Sequence, residues 1–449
     1  MRIIKPLAKL AAFLLIFALI SEGLTYCLVP VDSPAASMWN NYRSHEPGTI
    51  DTVFVGDSLS YEDLNPVVFD AACGTTSYNM GTNAQCYADS VEALRTAIHD
   101  HHIKNAVFIF DYDFLKAGDE RSSRPQSAFA RAEAAGRSLT DKIRISSRYL
   151  FDEKYIVEPD SLNYFLPWIS NRIRGGWQAV AANITFKQSG QLPKPRDDNN
   201  IRTREGFKGY TSTLNRNTAE RVRKSSWDKD SVSTYSLNEL NKLITLCKDN
   251  NVSLTVYTPP LTRTQVLSMG ESYFNRLGYM QKFFSERGVQ YYDLNLARPE
   301  LYAQEDDHYK DWIHANKKGA ELITAAVARL WQAQSDGKSV DDLFYTPSQF
   351  QSSVTEVDSV NLSLDSIDGE GIRMKARAWT GADTEVEYQF SARMSEDDDY
   401  EVIRDWDTSA SFDWVPDEPG RWQIRVKAAA KNSADPQVRK YNGWIEYWG

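Results

Sequence analysis

The chain has 449 residues, an apolar fraction of 42% and 12 Trp, enough material for more than one packed core, which excludes wholesale disorder. The net charge of -10 and a pI near 5.3, with no Lys/Arg-rich stripe, argue against a nucleic-acid binder.

Arg2, Lys5 and Lys9 precede an apolar stretch, Leu10 to Ile20, that resumes from Leu24 to Val31 after Ser21-Glu22-Gly23. The basic flank predicts a cytoplasmic N-terminus with the rest of the chain outside. Two readings compete over residues 1–31. A cleaved signal peptide fits the short apolar core, with a poor small-residue site at Pro34-Ala35-Ala36-Ser37. An uncleaved single-pass anchor fits the full length and is favoured, although Glu22 is costly unless it lies near the interface. Of the four cysteines, Cys27 falls in this segment and Cys247 on an apolar helix face. Cys73 and Cys86 are read either as a disulfide or as two free buried thiols.

From residue 50 to 334 short apolar runs alternate with amphipathic stretches. Strands are predicted at Thr52–Val55, Thr76–Met80, Asn105–Phe110, Val252–Tyr257 and Val289–Leu294. Helices are predicted from Asn65-Pro66 to Ala72 and over Ala84–Asp100, Leu237–Asp249, Tyr273–Arg287 and Asn316–Trp331. The alternation predicts an α/β fold, a three-layer, doubly wound parallel sheet whose ligands bind at the C-terminal strand ends. Ser58, Gly81, Asp111, Thr258 and the loop before His314 fall at such ends. An interruption over about 114–234 lacks strand periodicity, though Trp168–Ile173 looks helical. It is either a lid or wall over the active-site face or a surface excursion. A linker is expected at 335–353. Alternating runs such as Ile372–Trp379, Val386–Phe390 and Trp422–Ala428 then predict an all-β sandwich over 354–449.

Two motifs carry chemistry. Gly56-Asp57-Ser58 follows the first strand in a tight turn that exposes the serine and frees backbone N–H groups for a developing oxyanion. Asp311-Trp312-Ile313-His314 precedes a helix, with a spacing that lets Asp311 hold one imidazole nitrogen while the other faces Ser58. His308, beside Asp306 and Asp307, is a rival base. His99-Asp100-His101-His102 ends a helix, where histidines are favourable, so no metal and no cofactor is predicted.

Val55-Gly56-Asp57-Ser58, Asn79-Met80-Gly81 and Asp311-x-x-His314 together resemble, in order, three blocks of the SGNH/GDSL hydrolase superfamily. The resemblance implies a flavodoxin-like fold, catalysis by Ser58, Asp311 and His314, and an oxyanion hole that includes the Ser58 and Gly81 N–H groups. The third block departs: Phe110-Asp111-Tyr112-Asp113 lacks the asparagine donor, for which Asn83 is the substitute candidate. That loss, the Asn-Pro helix start and His-Ala-Asn-x-x-Gly-Ala are similar to a membrane-anchored branch that includes teichoic acid D-alanyl-transfer and alginate O-acetylation proteins. The branch implies an extracytoplasmic esterase or O-acyltransferase acting on a cell-envelope glycan, partnered by a multi-span membrane O-acyltransferase. The tail resembles immunoglobulin-like modules. The competing expectation is a non-catalytic envelope protein that uses the same scaffold to bind glycan or an acyltransferase.

Overall fold

A computed structural model describes residues 4–30, 33–118, 123–135, 137–151, 160–189, 200–216, 227–367, 371–431 and 433–448. Arg2 and Val31, in the N-terminal segment, lie outside these residues, as do stretches 152–159, 190–199 and 217–226 of the interruption.

Five parallel strands form the central sheet: β1 Thr52–Val55, β2 Ser77–Asn79, β3 Asn105–Ile109, then β6 Ser253–Thr258 and β7 Gln290–Asp293, in the order β2-β1-β3-β6-β7. Counted among themselves they run 2-1-3-4-5, a doubly wound order with its switch point between β1 and β3. All of β1 is buried because both faces are covered. Strand alternation sends Val53 and Val55 into one core, with Leu94, Leu243 and Met280. Phe54 enters the other, with Phe69, Ile323 and Val327. The first core is closed by helices Tyr87–His101, Thr234–Asp249 and Glu271–Ser285, the second by Pro66–Cys73 and Lys317–Ser335. Asn65 caps its helix by accepting from the Val67 N–H, with Pro66 in the first turn. The strand and helix positions agree with the periodicity to within a few residues. Outside the interruption, three helices before residue 335 escaped it: Pro34–Tyr42, which sends Trp39 and Tyr42 into the first core, Ser58–Asp63 and Arg263–Met269.

The N-terminal helix runs unbroken over Ile4–Leu28, straight through Ser21-Glu22-Gly23, and is long and apolar enough to be a membrane span or a signal segment. All four cysteines are free, which decides against the Cys73–Cys86 disulfide, and Cys247 is buried in the core. The interruption is built mainly of helices but contains one hairpin, β4 Asn200–Arg202 with β5 Lys208–Tyr210, which its sequence did not announce. The Asn79 N–H donates to Glu205 O at 2.9 Å, so the hairpin turn extends the edge of the sheet beside β2.

The expected linker is ordered. A capping box of Thr346 and Gln349 starts the helix Pro347–Ser353, and Phe350 is buried against the first core. Beyond it, two antiparallel sheets enclose one core. One contains β8 Ser359–Ile367, β9 Gly371–Trp379 and β12 Ser411–Trp414; the other contains β10 Val386–Arg393, β11 Glu401–Asp407, β13 Gly420–Ala430 and β14 Arg439–Tyr447. Leu362, Ile372, Met374, Phe390, Ile424 and Val426 fill the space between them.

Arg216 ties this tail to the α/β unit. Its guanidinium grips Asp306 by two bonds of 2.6 and 2.5 Å, donates to Thr264 Oγ1 at 2.7 Å and to Asp358 O at 2.8 Å, and lies over the Trp312 ring. The Asp358 carboxylate is buried and also takes the Thr264 hydroxyl. Replacing Arg216 by Met leaves the buried Asp358 carboxylate with the Thr264 hydroxyl and the more distant Arg263, 3.9 Å away, which costs about 3 kcal/mol. Denaturant unfolding is expected to show this loss, and limited proteolysis of Arg216→Met to release the tail.

Candidate active site

Gly56 makes the turn that presents Ser58. Its φ of 152° suits glycine, and a Cβ there would sit 2.8 Å from Ile109 O, so β1 could not approach β3 and turn at the same point with any other residue. Asp57 then caps the six-residue helix Ser58–Asp63, its carboxyl accepting from the Leu59 N–H at 3.0 Å. This leaves Ser58 half-buried in the first turn, and among the described residues its own N–H has no partner.

The residues that the two motifs predicted meet. Ser58 Oγ lies 2.9 Å from His314 Nε2, across a separation of 256 positions. His314 Nδ1 lies 2.9 Å from Asp311 Oδ2. Asp311 Oδ1 also accepts from the Ile313 and His314 N–H groups, both at 2.9 Å. These partners assign the proton to Nδ1 and leave Nε2 free to accept from the serine hydroxyl. Although burial opposes it, the bond from His314 and the two N–H donors hold the Asp311 carboxylate down at about 2. For His314, burial favours the neutral ring, but the Asp311 bond and the charges of Glu62 and Asp311 outweigh it. The imidazole is raised above its ordinary value.

His308 is not an equivalent base. Its Nδ1 lies 2.9 Å from Ala303 O, and the side chain is buried against Tyr302. His101 accepts from the Ile50 N–H, His99 faces Asp100, and exposed His102 caps the helix end at φ 52°, so the three engage separately.

The oxyanion expectation needs revision at Gly81. Its N–H is taken by Asn79 Oδ1 at 3.0 Å. Asn79 is fully buried, and its amide also donates to Ser60 O and Leu64 O while accepting the Ser60 hydroxyl. Glycine is required at 81 because a Cβ would lie 2.8 Å from Ser60 Cβ, which explains the residue by packing. Asn83 is exposed and makes no side-chain hydrogen bond among the described residues. Next to it, Ala84 is held at φ 50°, an uncommon conformation for a residue with a Cβ. Where the third block would supply an asparagine, Asp111 instead hydrogen-bonds the Asp57 carboxyl. Burial and the facing Asp111 hold Asp57 well above the usual carboxylate range.

Several residues of the site had no signal in the motifs. Asp63 is fully buried, accepts from the Ala315 N–H at 3.0 Å and is pushed by burial up to about 8, against the pull of His314. Glu62 is buried and salt-bridged to Lys310, whose ammonium lies 3.7 Å from the centre of the Tyr210 ring. Tyr210 reaches Glu62 from the hairpin, so part of the interruption walls the site. A cavity of about 140 Å³ opens between the hairpin and the Ser58 helix, lined by Met38, Tyr61, Gly81, Thr203, Phe207 and Lys208 among others. The Lys310 position, one before Asp311, and the acidic pair after Ser-Tyr in the Ser58 helix were the only local hints.

No family model and no curated protein matches the chain. Solved structures that align with it include a GDSL-like lipase from Bacteroides thetaiotaomicron, 8% identical over 67% of this chain and 99% of that one, with a TM-score of 0.31. A lipase/acylhydrolase from Enterococcus faecalis is 10% identical over 64% of this chain and 97% of that one, with a TM-score of 0.30.

Two pH experiments test this electrostatic arrangement. A base that must be neutral gives a kcat/KM that rises with pH, here with a midpoint above the ordinary imidazole value. Glu62→Gln removes one of the charges that raise it, so the midpoint is expected to move down. For Asp63, the folded value near 8 exceeds an unfolded value of about 3.9, so the folded state holds the extra proton between them. That contribution is complete below the lower value and is lost as pH rises through the higher one. Asp63→Asn keeps the acceptor for Ala315 and should flatten the fall of Tm over that window.

Proposed function

We propose that the chain is an SGNH-type serine esterase or O-acyltransferase, held outside the membrane by its N-terminal helix. The observation that carries the proposal is the continuous Ser58–His314–Asp311 hydrogen-bond chain, with both contacts at 2.9 Å. His314 Nε2 takes the hydroxyl proton as Ser58 Oγ bonds to the acyl carbonyl carbon. The unpartnered Ser58 N–H, reinforced by the helix start, faces the oxygen on which charge develops. His314 then gives its proton to the leaving oxygen, and an acyl-Ser58 ester remains. Water as acceptor completes hydrolysis, and a glycan hydroxyl completes transfer, with His314 again as the base.

The acceptor reading rests on the half-buried, polar-walled approach to Ser58 formed by Tyr210, Lys310 and the hairpin, a surface that suits a hydroxyl-bearing chain. The resemblance to envelope acyl-transfer proteins supports the same class of acceptor and a membrane O-acyltransferase as donor-side partner.

With p-nitrophenyl acetate, the full chain is expected to give a burst of one nitrophenolate per site, and Ser58→Ala to lose about 10³-fold or more in kcat. A fluorophosphonate should label wild type at Ser58 and leave Ser58→Ala unlabelled. Unchanged hydrolysis by Ser58→Ala, with no label on folded wild type, would overturn the proposal. Adding a polyol or oligosaccharide separates the two outcomes: transfer appears as an acylated acceptor formed at the expense of acetate.

A further inference from the structure

The helices of the interruption hold the far end of the N-terminal helix. Its last carbonyls, which a helix end leaves open, are all met from there. The Ile173 N–H donates to Leu28 O at 2.8 Å, and Asn183 Nδ2 donates to Cys27 O and Val29 O at 3.0 and 3.1 Å. Lys187 Nζ donates to Tyr26 O and Val29 O, both at 2.6 Å, a cation placed at the negative end of the helix. One turn or more back, Trp168 Nε1 donates to the buried Ser21 Oγ at 3.0 Å, and Arg131 feels the charge of Glu22. The otherwise costly Glu22 therefore has a cationic neighbour.

Length supplies a second argument. The large exposed apolar side chains of this helix run from Leu7 to Ile20, with only Tyr26 beyond. That stretch rises about 20 Å at 1.5 Å per residue; the apolar helix itself continues to Leu28, so the rest of a hydrocarbon core of about 30 Å falls on its last turns. The remaining depth coincides with the turns that the interruption grips.

The same helices carry exposed apolar side chains of their own. Leu139 (74% exposed), Ile143 and Leu150 lie on one face of the helix Leu139–Phe151, which ends on Phe151 at 79% exposure. Trp177, 85% exposed, lies on the helix Gly176–Ser189 that caps the N-terminal helix, and Ile169 follows Trp168. Elsewhere between residues 33 and 335, the only large apolar side chains this exposed among the described residues are Val67, Phe165 and Leu322, and Phe165 belongs to the same group. Exposed apolar side chains so concentrated in one segment mark a contact surface, and Trp is a residue type enriched at bilayer interfaces.

We propose that these interruption helices form a collar that clasps the end of the N-terminal helix and sinks its exposed apolar face into the outer leaflet around that end, fixing the height of Ser58 above the bilayer. The occupant is lipid, and the proposal rests on the reading of the N-terminal helix as a retained membrane span.

The test uses the full chain in phosphatidylcholine/phosphatidylglycerol nanodiscs, with Cys27 and Cys73 replaced by Ser. An environment-sensitive nitrobenzoxadiazole label is placed at Ile143→Cys, Phe151→Cys or Trp177→Cys, with Leu14→Cys and Ser395→Cys as references. Collar labels are expected to be quenched by spin-labelled lipid at least about twofold more than Ser395→Cys, and to resist iodide. If Leu14→Cys is quenched by lipid while the collar labels behave like Ser395→Cys, the collar is overturned and the anchor stands. Labels shielded from iodide yet not quenched by lipid overturn lipid in favour of a covering protein. Recovery of a chain that lacks the N-terminal helix overturns the anchor, and the collar with it.

Discussion

The buried hydrogen bond from the Ala315 N–H to the Asp63 carboxyl sets the geometry on which the candidate site depends. Asp63 closes the short helix that Ser58 opens, and Ala315 follows His314 directly. One bond therefore fixes nucleophile and base within a rigid frame. Thr324 doubles it from the helix Lys317–Ser335, accepting from the Asn65 N–H at 2.9 Å. Asn316 begins that helix by accepting from the Gly319 N–H and also donates to Asp307 O. The loop that carries Asp311 and His314 is thus held at both ends by groups fully removed from water, where an unmade bond is expensive. A hydroxyl–imidazole contact of 2.9 Å follows from this frame.

Acidic groups surround that contact on two sides, and each environment settles a different protonation state. Asp311, fed by three donors, is an anion and stabilises charge on the ring. Asp63, with one donor and no exposure, is driven toward the neutral acid. Behind the serine, burial and the facing Asp111 push Asp57 well above the usual carboxylate range, while Asp57 still caps the helix. Lys310 balances Glu62 close to His314, so the base feels a negative field without facing an unpaired charge. Such divergent carboxyl environments within a few residues are typical of sites built for proton transfer.

The candidate trio of Ser58, Asp311 and His314 was legible in the sequence because its members obey local rules. Ser58 follows a buried strand and a glycine turn, and Asp311 and His314 sit at i, i+3 before a capped helix. Strands β1 and β3 were legible because both faces are buried and their apolar runs are nearly continuous. Gly81 misled for a physical reason. Its N–H is captured by Asn79 Oδ1, a choice that depends on how Asn79 packs against Ser60 and Leu64, and no spacing rule reports it. The collar and hairpin were equally opaque. Their apolar residues face outward or toward another segment, so the usual inference from pattern to core fails there. The ordering of the expected linker was hidden because Phe344 and Phe350 are single anchors rather than a periodic face.

The long separation between Ser58 and His314 has a consequence in time. During synthesis the first strand and the serine emerge well before the loop that supplies the base, and Thr324 and Asn316 follow later still. An emerging chain therefore carries an unassisted serine hydroxyl, a poor nucleophile at neutral pH. The imidazole partner is in place only when the segment through Thr324 has arrived and the Asp63–Ala315 bond can close. The order of residues along the chain thus leaves the Ser58 hydroxyl without its imidazole until the fold is nearly complete.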